Sequence, residues 1–286
     1  MVEVSILCDK VRFEEKALFE KTQSMGIKSK IVDAKTLTIG THSKTNDFLL
    51  GDVILQRCVS YYRGLYLTAC LEFLGLKVIN RFEVAQICGN KLITSISLAE
   101  NKIPTPKTQF AFSAESGLET IKKTGFPVVL KPVVGSWGRG IYPLRDFETA
   151  RMIIEMREED DSPLSRIYYI QDMVDRPPRD IRCIVIGDQA LTAIYRYSSQ
   201  SEWRTNVPLG GKVELAPITK EMENLALSAA EAVGGGILGV DMMEDKNRGL
   251  VVHEVNNTVE FRGAASVSKV DIPNQMIEYA VKQARK

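Results

Sequence analysis

The sequence predicts an α/β chain whose C-terminal part turns to α+β, on three observations. Strand-length apolar runs alternate with helical periodicity from the N-terminus to about residue 82. A glycine-rich loop then separates two short apolar runs, and the last part is dense in strands joined by tight turns.

The elements follow in order. "EVSILC" reads as a buried strand and "FEEKALFEKTQSMG" as an amphipathic helix stopped by Gly26. "SKIVDA", "DVILQR", the helical "YLTACLEFLG" and "KVIN" continue the alternation, so residues 1–85 are expected to form a small α/β domain with a mostly parallel sheet. "CGNKLITSISLAENKIPTPKTQFAF" opens as a helix that carries Lys91 and ends near Asn101. It breaks at the "IPTP" elbow, because proline lacks the amide hydrogen and restricts its predecessor. A strand, a helix to Gly125, the "PVVLKP" strand, the glycine loop and a helix from Asp146 complete a central lobe over 86–168. From 169 to 286 strands dominate, the strand "IYYIQDMV" opening this part. "DIRCIVIG" and "ALTAIYRYS" are expected to pair through a hairpin at Gly187-Asp188, and "GILGVDMME" and "GLVVHEVNNT" through "DKNRG". A helix from about Lys220 to Val233 lies between the pairs, and another closes the chain.

Composition narrows the function. The 37 basic and 36 acidic residues nearly cancel, which argues against nucleic acid or a membrane surface as partner. The apolar runs are strand-length and "MVEVSILCDK" lacks a signal-peptide layout, so a cytoplasmic enzyme is expected. Cys8, Cys58, Cys70, Cys88 and Cys183 form no Cys-x-x-Cys pair, and the only histidines are His42 and His253. A zinc site or a Cys–His nucleophile is therefore not expected, and the cysteines read as small core residues.

The stretch "FPVVLKPVVGSWGRGIYPL" places Gly135, Gly138 and Gly140 with Lys131 and Arg139 between two apolar runs. A Walker loop needs its lysine after the glycines, and a dinucleotide fingerprint needs a helix after them. Here the lysine precedes and Ile141, Tyr142 and Pro143 favour a strand, so the pattern reads as strand, mobile loop, strand: a flap over phosphates.

Asp241 lies in one apolar strand, while Glu254 and Asn256 lie two apart on one face of another. Oxygen-only ligands favour a hard cation such as magnesium; the competing reading is an edge strand with a polar outward face. Lys91 and Lys131, taken singly, read first as solvated lysines. Arg182 and Arg196 sit in neighbouring strands and can present two guanidiniums to one oxyanion. Together these groups describe phosphoryl transfer by positioning and charge neutralisation.

Lys91, "VVLKP" with its flap, "YIQDMV", "RDIRCIVIG", "AIYRYS", "TNVPLGG", Asp241 and "HEVNNT" stand in an order that resembles an ATP-grasp carboxylate–amine ligase over essentially the whole chain. "QRCVSYYRG", "KPVVGSWGR", "RDIR", "AVGGG" and "VDIP" make it most similar to the RimK-like ligases of the LysX/ArgX group, which act on the amino-group carrier protein LysW. The resemblance implies an ATP-grasp fold with an N-terminal pre-ATP-grasp lobe, and ATP and Mg2+ as cofactors. It implies that Lys91 and Lys131 hold the phosphates under the Ser136-Trp137-Gly138-Arg139 loop. Gln171, Asp172, Met173 and Val174 would form the adenine hinge, with Asp180 on the ribose. Asp241, Glu254 and Asn256 would hold magnesium. Arg182, Arg196 and Asn206 would face the γ-phosphate and the acyl phosphate. Arg196, Asn206, Asn256, Asn257, Thr258, Glu260 and Arg262 would meet the amino-acid substrate.

The implied reaction joins the α-amino group of glutamate or 2-aminoadipate to the side-chain carboxylate of the carrier's C-terminal glutamate. The run from Asn256 to Pro273 departs from the lysine-pathway pattern at Asn257, Val259 and residues 263–269, which favours glutamate and the arginine pathway. The implied partners are the acidic carrier, the amino acid and further copies of the chain in a dimer or tetramer. Arg57, Arg63 and Arg81 are candidates for carrier docking. Alternatives are a nucleotide-binding subunit with a degenerate site and a ligase adding glutamate to another protein or peptide.

Overall fold

The computed structural model describes residues 2–44, 48–135, 137–198 and 212–286. Three sheets divide them. In the first, β1 (Glu3–Cys8), β2 (Lys28–Asp33), β3 (Val53–Gln56) and β4 (Val78–Ile79) run parallel in the order β2-β1-β3-β4. Parallel neighbours require crossovers, supplied by α1 (Phe13–Ser24) and α2 (Tyr61–Phe73) on the β1–β2 and β3–β4 connections. α1 begins with the Arg12 backbone N–H donating to Glu15 Oε2, and Gly26, at φ 66°, takes the left-handed turn that follows the helix.

α3 (Phe82–Cys88) and α4 (Lys91–Glu100) lead to the middle sheet, antiparallel in the order β5 (Thr108–Ala111), β8 (Tyr168–Asp172), β6 (Val128–Lys131), β7 (Tyr142–Leu144), with α5 (Ala114–Thr124) and α6 (Phe147–Glu158) packed on it. The segment expected as one helix from Cys88 breaks at Gly89, where a Cβ would lie 1.7 Å from the Tyr61 ring. The strand expected to open the third part, β8, instead pairs with β5 and β6. A three-stranded remainder would leave β5 unpaired, and the apolar positions of β8 complete this lobe's own core around Ile121, Leu130, Leu144 and Ile154.

The third sheet is antiparallel: β11 (Val213–Ala216), β10 (Gln189–Tyr197), β9 (Arg179–Ile186), β12 (Ile237–Asp245), β13 (Gly249–Asn256). The hairpin falls at Gly187-Asp188 as its residues predict, with Gly187 at φ 61°. α7 (Lys220–Ala232) covers one face, while α8 (Arg262–Val267) and α9 (Ile272–Ala284) close the chain.

The first and third lobes share one core. Val4, Ile6, Leu18 and Leu55 pack in a single cluster with Ile184, Ile194, Val259 and Ile277. Asn80 pins the same boundary: its amide nitrogen donates to the carbonyls of Ile237 and Asn257, and its oxygen accepts from the Ile237 N–H at 2.7 Å. Gly236, at φ 119°, makes room for it, since a Cβ there would lie 2.1 Å from the Asn80 oxygen. The middle lobe keeps a separate core. Cys8, Cys58, Cys88 and Cys183 are buried as expected, but Cys70 is exposed, because it falls on the outer face of α2.

Candidate active site

A cavity of about 630 Å³ opens between the first lobe, the flap and the third sheet. Arg12, Lys91, Arg139, Arg182, Arg196, Lys212 and Arg262 line it, against the acids Glu14, Glu254 and Glu260. Seven cations against three carboxylates make it a site for anions.

Each group is set by its element. Asn90 caps α4 by accepting from the N–H groups of Leu92 and Ile93, which places Lys91 at the first helical position. The Lys91 backbone N–H donates to Val133 O, and its ammonium donates to Gly135 O at 2.7 Å and stands 3.5 Å from Glu254. Lys91 thus ties the base of the flap to a candidate metal ligand. β6 and β7 pair antiparallel across the flap, as strand, loop, strand. Trp137 sits at φ 56° with the Arg139 guanidinium 5.4 Å from its ring, and both are exposed. Ser136 lies outside the described residues, as does Asn206.

Lys131 ends β6 and is buried, donating to Gln171 Oε1 at 2.7 Å. Gln171 Nε2 donates to Thr108 Oγ1 and Tyr169 OH, so this pair is held from both sides. Burial pushes the Lys131 ammonium down to about 8, with Lys91 and Arg176 adding to the shift and Glu254 opposing it. Asp172, Met173 and Val174 are part-buried, and the N–H groups of Asp172 and Met173 donate to Lys107 O and Pro127 O. These hinge residues do not line the cavity.

Behind the cavity lies an ion-pair cluster. Arg182 binds Asp241 bidentately at 2.8 and 2.8 Å, and Arg196 binds Asp180 at 2.8 and 2.7 Å while reaching Asp241 Oδ2 at 3.0 Å. Asp241 and Asp180 are almost fully buried. Burial would raise the Asp241 carboxyl, but Arg182 and Arg196 outweigh it and hold the group well below the carboxylate range. Asp180, expected on a ribose, is therefore engaged with Arg196 in this structure. Among the described residues, Nη1 of both arginines makes no hydrogen bond, so each keeps a donor for an incoming oxyanion.

The three candidate metal ligands are brought together: Asp241 and Glu254 are register partners on β12 and β13, and Asn256 Nδ2 donates to Asp241 Oδ2 at 3.3 Å. That bond leaves the Asn256 amide oxygen for a cation, and among the described residues Asp241 Oδ1 accepts from Arg182 alone. Two carboxylates and an amide oxygen fit a hard cation, with Glu254 and Asn256 facing the cavity. Glu254 is held in its charged form; burial opposes this and Lys91 prevails.

The proposed substrate run also converges, and it meets residues that the sequence did not single out. Arg12 Nη1 donates to Glu260 Oε1 at 2.7 Å, and the Arg262 N–H donates to Glu14 Oε1 at 3.2 Å. The Arg262 guanidinium stands 5.7 Å from the Phe13 ring. Ser60 and Tyr61 complete that wall beside Asn257 and Thr258. The only local signal was the start of a helix at "RFEE", which says nothing of a partner about 250 residues away. Of the docking candidates, Arg57 is buried against Glu15, because it directly follows β3, an inner strand of the first sheet. Arg63 and Arg81 are exposed, the first paired with Asp9.

Residues 88–280 match the RimK-like ATP-grasp domain, and residues 4–87 the LysX preATP-grasp domain. The chain is 37% identical to the alpha-aminoadipate–LysW ligase LysX of Saccharolobus solfataricus, over 96% of this chain and 99% of that one. It is 32% identical to the glutamate–LysW ligase ArgX of Sulfurisphaera tokodaii, over 96% and 97%. The RimK domain ATP-grasp protein of Sphaerobacter thermophilus superposes with a TM-score of 0.78 at 22% identity, over 98% and 99%, a likeness of fold. No helix among the described residues is long and apolar enough to cross a membrane. The chain belongs to the RimK-like ATP-grasp family of ligases and carries a LysX-type preATP-grasp domain in front.

Proposed function

We propose that this protein is a cytoplasmic, ATP-dependent ligase that joins the α-amino group of glutamate to the side-chain carboxylate of the C-terminal glutamate of a LysW-type carrier, in arginine and ornithine biosynthesis. The observation that carries the reading is the convergence of seven cations on a cavity walled jointly by the LysX-type and RimK-type parts of the chain.

A carboxylate oxygen attacks the γ-phosphorus of ATP as its bond to the β,γ-bridging oxygen breaks and ADP leaves, so two anions must meet and their charge must be neutralised. Lys91 and Lys131 would hold the phosphates, while the open Nη1 donors of Arg182 and Arg196 would take up charge developing on the transferred group. Asp241, Glu254 and Asn256 would hold Mg2+, which neutralises phosphate oxygens when bound. Asp180 and Asp241 fix the two guanidiniums, so no reorganisation is needed as charge moves. The amine then attacks the acyl phosphate, the new amide bond forming as the C–O bond to phosphate breaks and inorganic phosphate leaves. Trp137, Gly138 and Arg139, with Ser136, would exclude water during that interval. Arg262, Asn257, Thr258 and Glu260 would orient the amino acid, with Asn206.

2-Aminoadipate as the amine is the second reading, favoured by the 37% identity to a LysX enzyme. The two amino acids differ by one methylene, a difference worth about 10- to 200-fold in discrimination. The test offers ATP, Mg2+ and purified carrier with each amino acid in turn. Carrier-dependent ADP release with glutamate above 2-aminoadipate is expected. Release with neither removes the ligase reading, and the reverse order transfers the enzyme to 2-aminoadipate.

A further inference from the structure

Three carboxylates line the cavity, and two of them are engaged. Glu254 stands 3.5 Å from the Lys91 ammonium, and Glu260 accepts from Arg12 Nη1 at 2.7 Å. Glu14 has no such partner. It is only 5% exposed, yet among the described residues it forms no ion pair, its Oε1 accepts a single N–H, that of Arg262, and its Oε2 accepts nothing. Taking a carboxylate out of water without a counter-charge is costly. Its neighbour Glu15 shows the usual solution one residue on, bound by Arg12 and Arg57. The helix dipole favours a glutamate in the first turn of α1, which accounts for the residue type but not for the burial.

A second open charge lies beside it. The Arg262 N–H meets Glu14 Oε1 at 3.2 Å, but the Arg262 guanidinium stands over the Phe13 ring, 5.7 Å away, and among the described residues it makes no hydrogen bond or ion pair. The starts of α1 and α8 thus set a carboxylate and a guanidinium on one wall of the cavity, neither neutralised by the other. Adjacent opposite charges of this kind match a zwitterion. The rest of the cavity is rich in cations, which draw carboxylates and phosphates and repel an ammonium. An ammonium offers three N–H donors and needs acceptors, and Glu14 Oε2 is the carboxylate oxygen that no protein cation claims.

We infer that Glu14 binds the ammonium group of the amino-acid substrate through Oε2, and so selects a diacid that bears an amine over one that lacks it. The inference deepens the ligase reading and rests on it. Oε1 stays on the Arg262 N–H, which fixes the direction of the carboxylate. The contact is one of recognition: it sets where the nitrogen stands before the carrier's carboxyl group is activated. Because Glu14 belongs to the LysX-type part of the chain and Arg262 to the RimK-type part, the amino acid is read by both at once.

The test is steady-state, carrier-dependent ADP release by wild type and Glu14→Gln, with glutamate as substrate and glutarate, the same diacid without its amine, as competitor. Glu14→Gln keeps an oxygen for the Arg262 N–H and loses the charge. Expected is a KM for glutamate about tenfold higher, with the inhibition constant of glutarate and the KM for ATP within twofold of wild type. If 2-aminoadipate is the faster amine, adipate replaces glutarate with the same expectations. Amino acid and amine-free diacid weakened by the same factor overturn the inference, because the amine then has no part in the loss. A KM for the amino acid within twofold of wild type overturns it too, and leaves the ligase reading standing. Wild type without carrier-dependent turnover of either amino acid overturns both together.

Discussion

The guanidinium of Arg12, at the start of α1, donates at 2.7 Å to the carboxylate of Glu260, just beyond β13. Arg12 is itself clamped by Glu15, so a half-buried ion pair of the first lobe holds a candidate substrate residue of the last. Glu260 is 40% exposed on its side chain, and pairs of that kind contribute at most about 1 kcal/mol to stability. Glu260→Gln should therefore leave urea unfolding nearly unchanged while raising KM for the amino acid about tenfold. A KM within twofold of wild type would show that the pair is only a surface contact.

Asp241 and Glu254 are register partners with different expected phenotypes. Asp241→Asn leaves two guanidiniums around a neutral buried group, and breaking a buried ion pair costs about 3–5 kcal/mol. Its unfolding midpoint should fall sharply. Glu254→Gln should abolish turnover with a wild-type unfolding curve, since Glu254 faces the cavity and stands 3.5 Å from Lys91. Full activity in Glu254→Gln would remove the proposed metal site.

Lys131 gives a pH dependence. Burial pushes its ammonium down to about 8, Glu254 opposing the shift and Lys91 and Arg176 adding to it. A bound phosphate favours the charged form, so nucleotide binding draws in a proton above that pH. ADP affinity should be flat from about pH 6 to 7.5 and decline as pH rises through 8, by up to tenfold per unit. Lys131→Arg, charged throughout, should flatten the curve; an equally steep decline in that variant would assign the titration elsewhere.

Gly236 tests the joint between lobes. An alanine there must place its Cβ 2.1 Å from the Asn80 oxygen at a φ of 119°. Gly236→Ala should destabilise the chain by more than about 2 kcal/mol in chemical unfolding. Because Asn80 also holds the Asn257 carbonyl, amino-acid KM should rise with it.

The strands, both hairpins and the flap were readable because each rests on local patterning: alternation, turn residues and glycine spacing. The ion-pair cluster was half readable. Arg182 and Arg196 stood out as cations in apolar strands, but their pairing with Asp241 and Asp180 depends on the register of β9 against β10 and β12. The sheet membership of β8 was hidden for a related reason, since its neighbours in space are not its neighbours in sequence. The wall formed by Arg12, Phe13 and Glu14 had no local trace, because "RFEE" satisfies every rule for a helix start without it. His253 stood out only as a histidine too isolated for zinc; that it falls at a bulge becomes visible only through the pairing of β12 with β13.

The common core of the outer lobes has a mechanical meaning. Val4, Ile6, Ile184 and Ile277 bury into one cluster, while the middle sheet keeps a cluster of its own around Ile121 and Leu130. The two jaws of the cleft are therefore unequal. The larger jaw is an anvil, whose wall of Arg12, Glu14, Glu260 and Arg262 is braced by hydrogen bonds within the protein itself. Lys131 and the flap both ride on the hammer, so any shift of the middle sheet carries the two together.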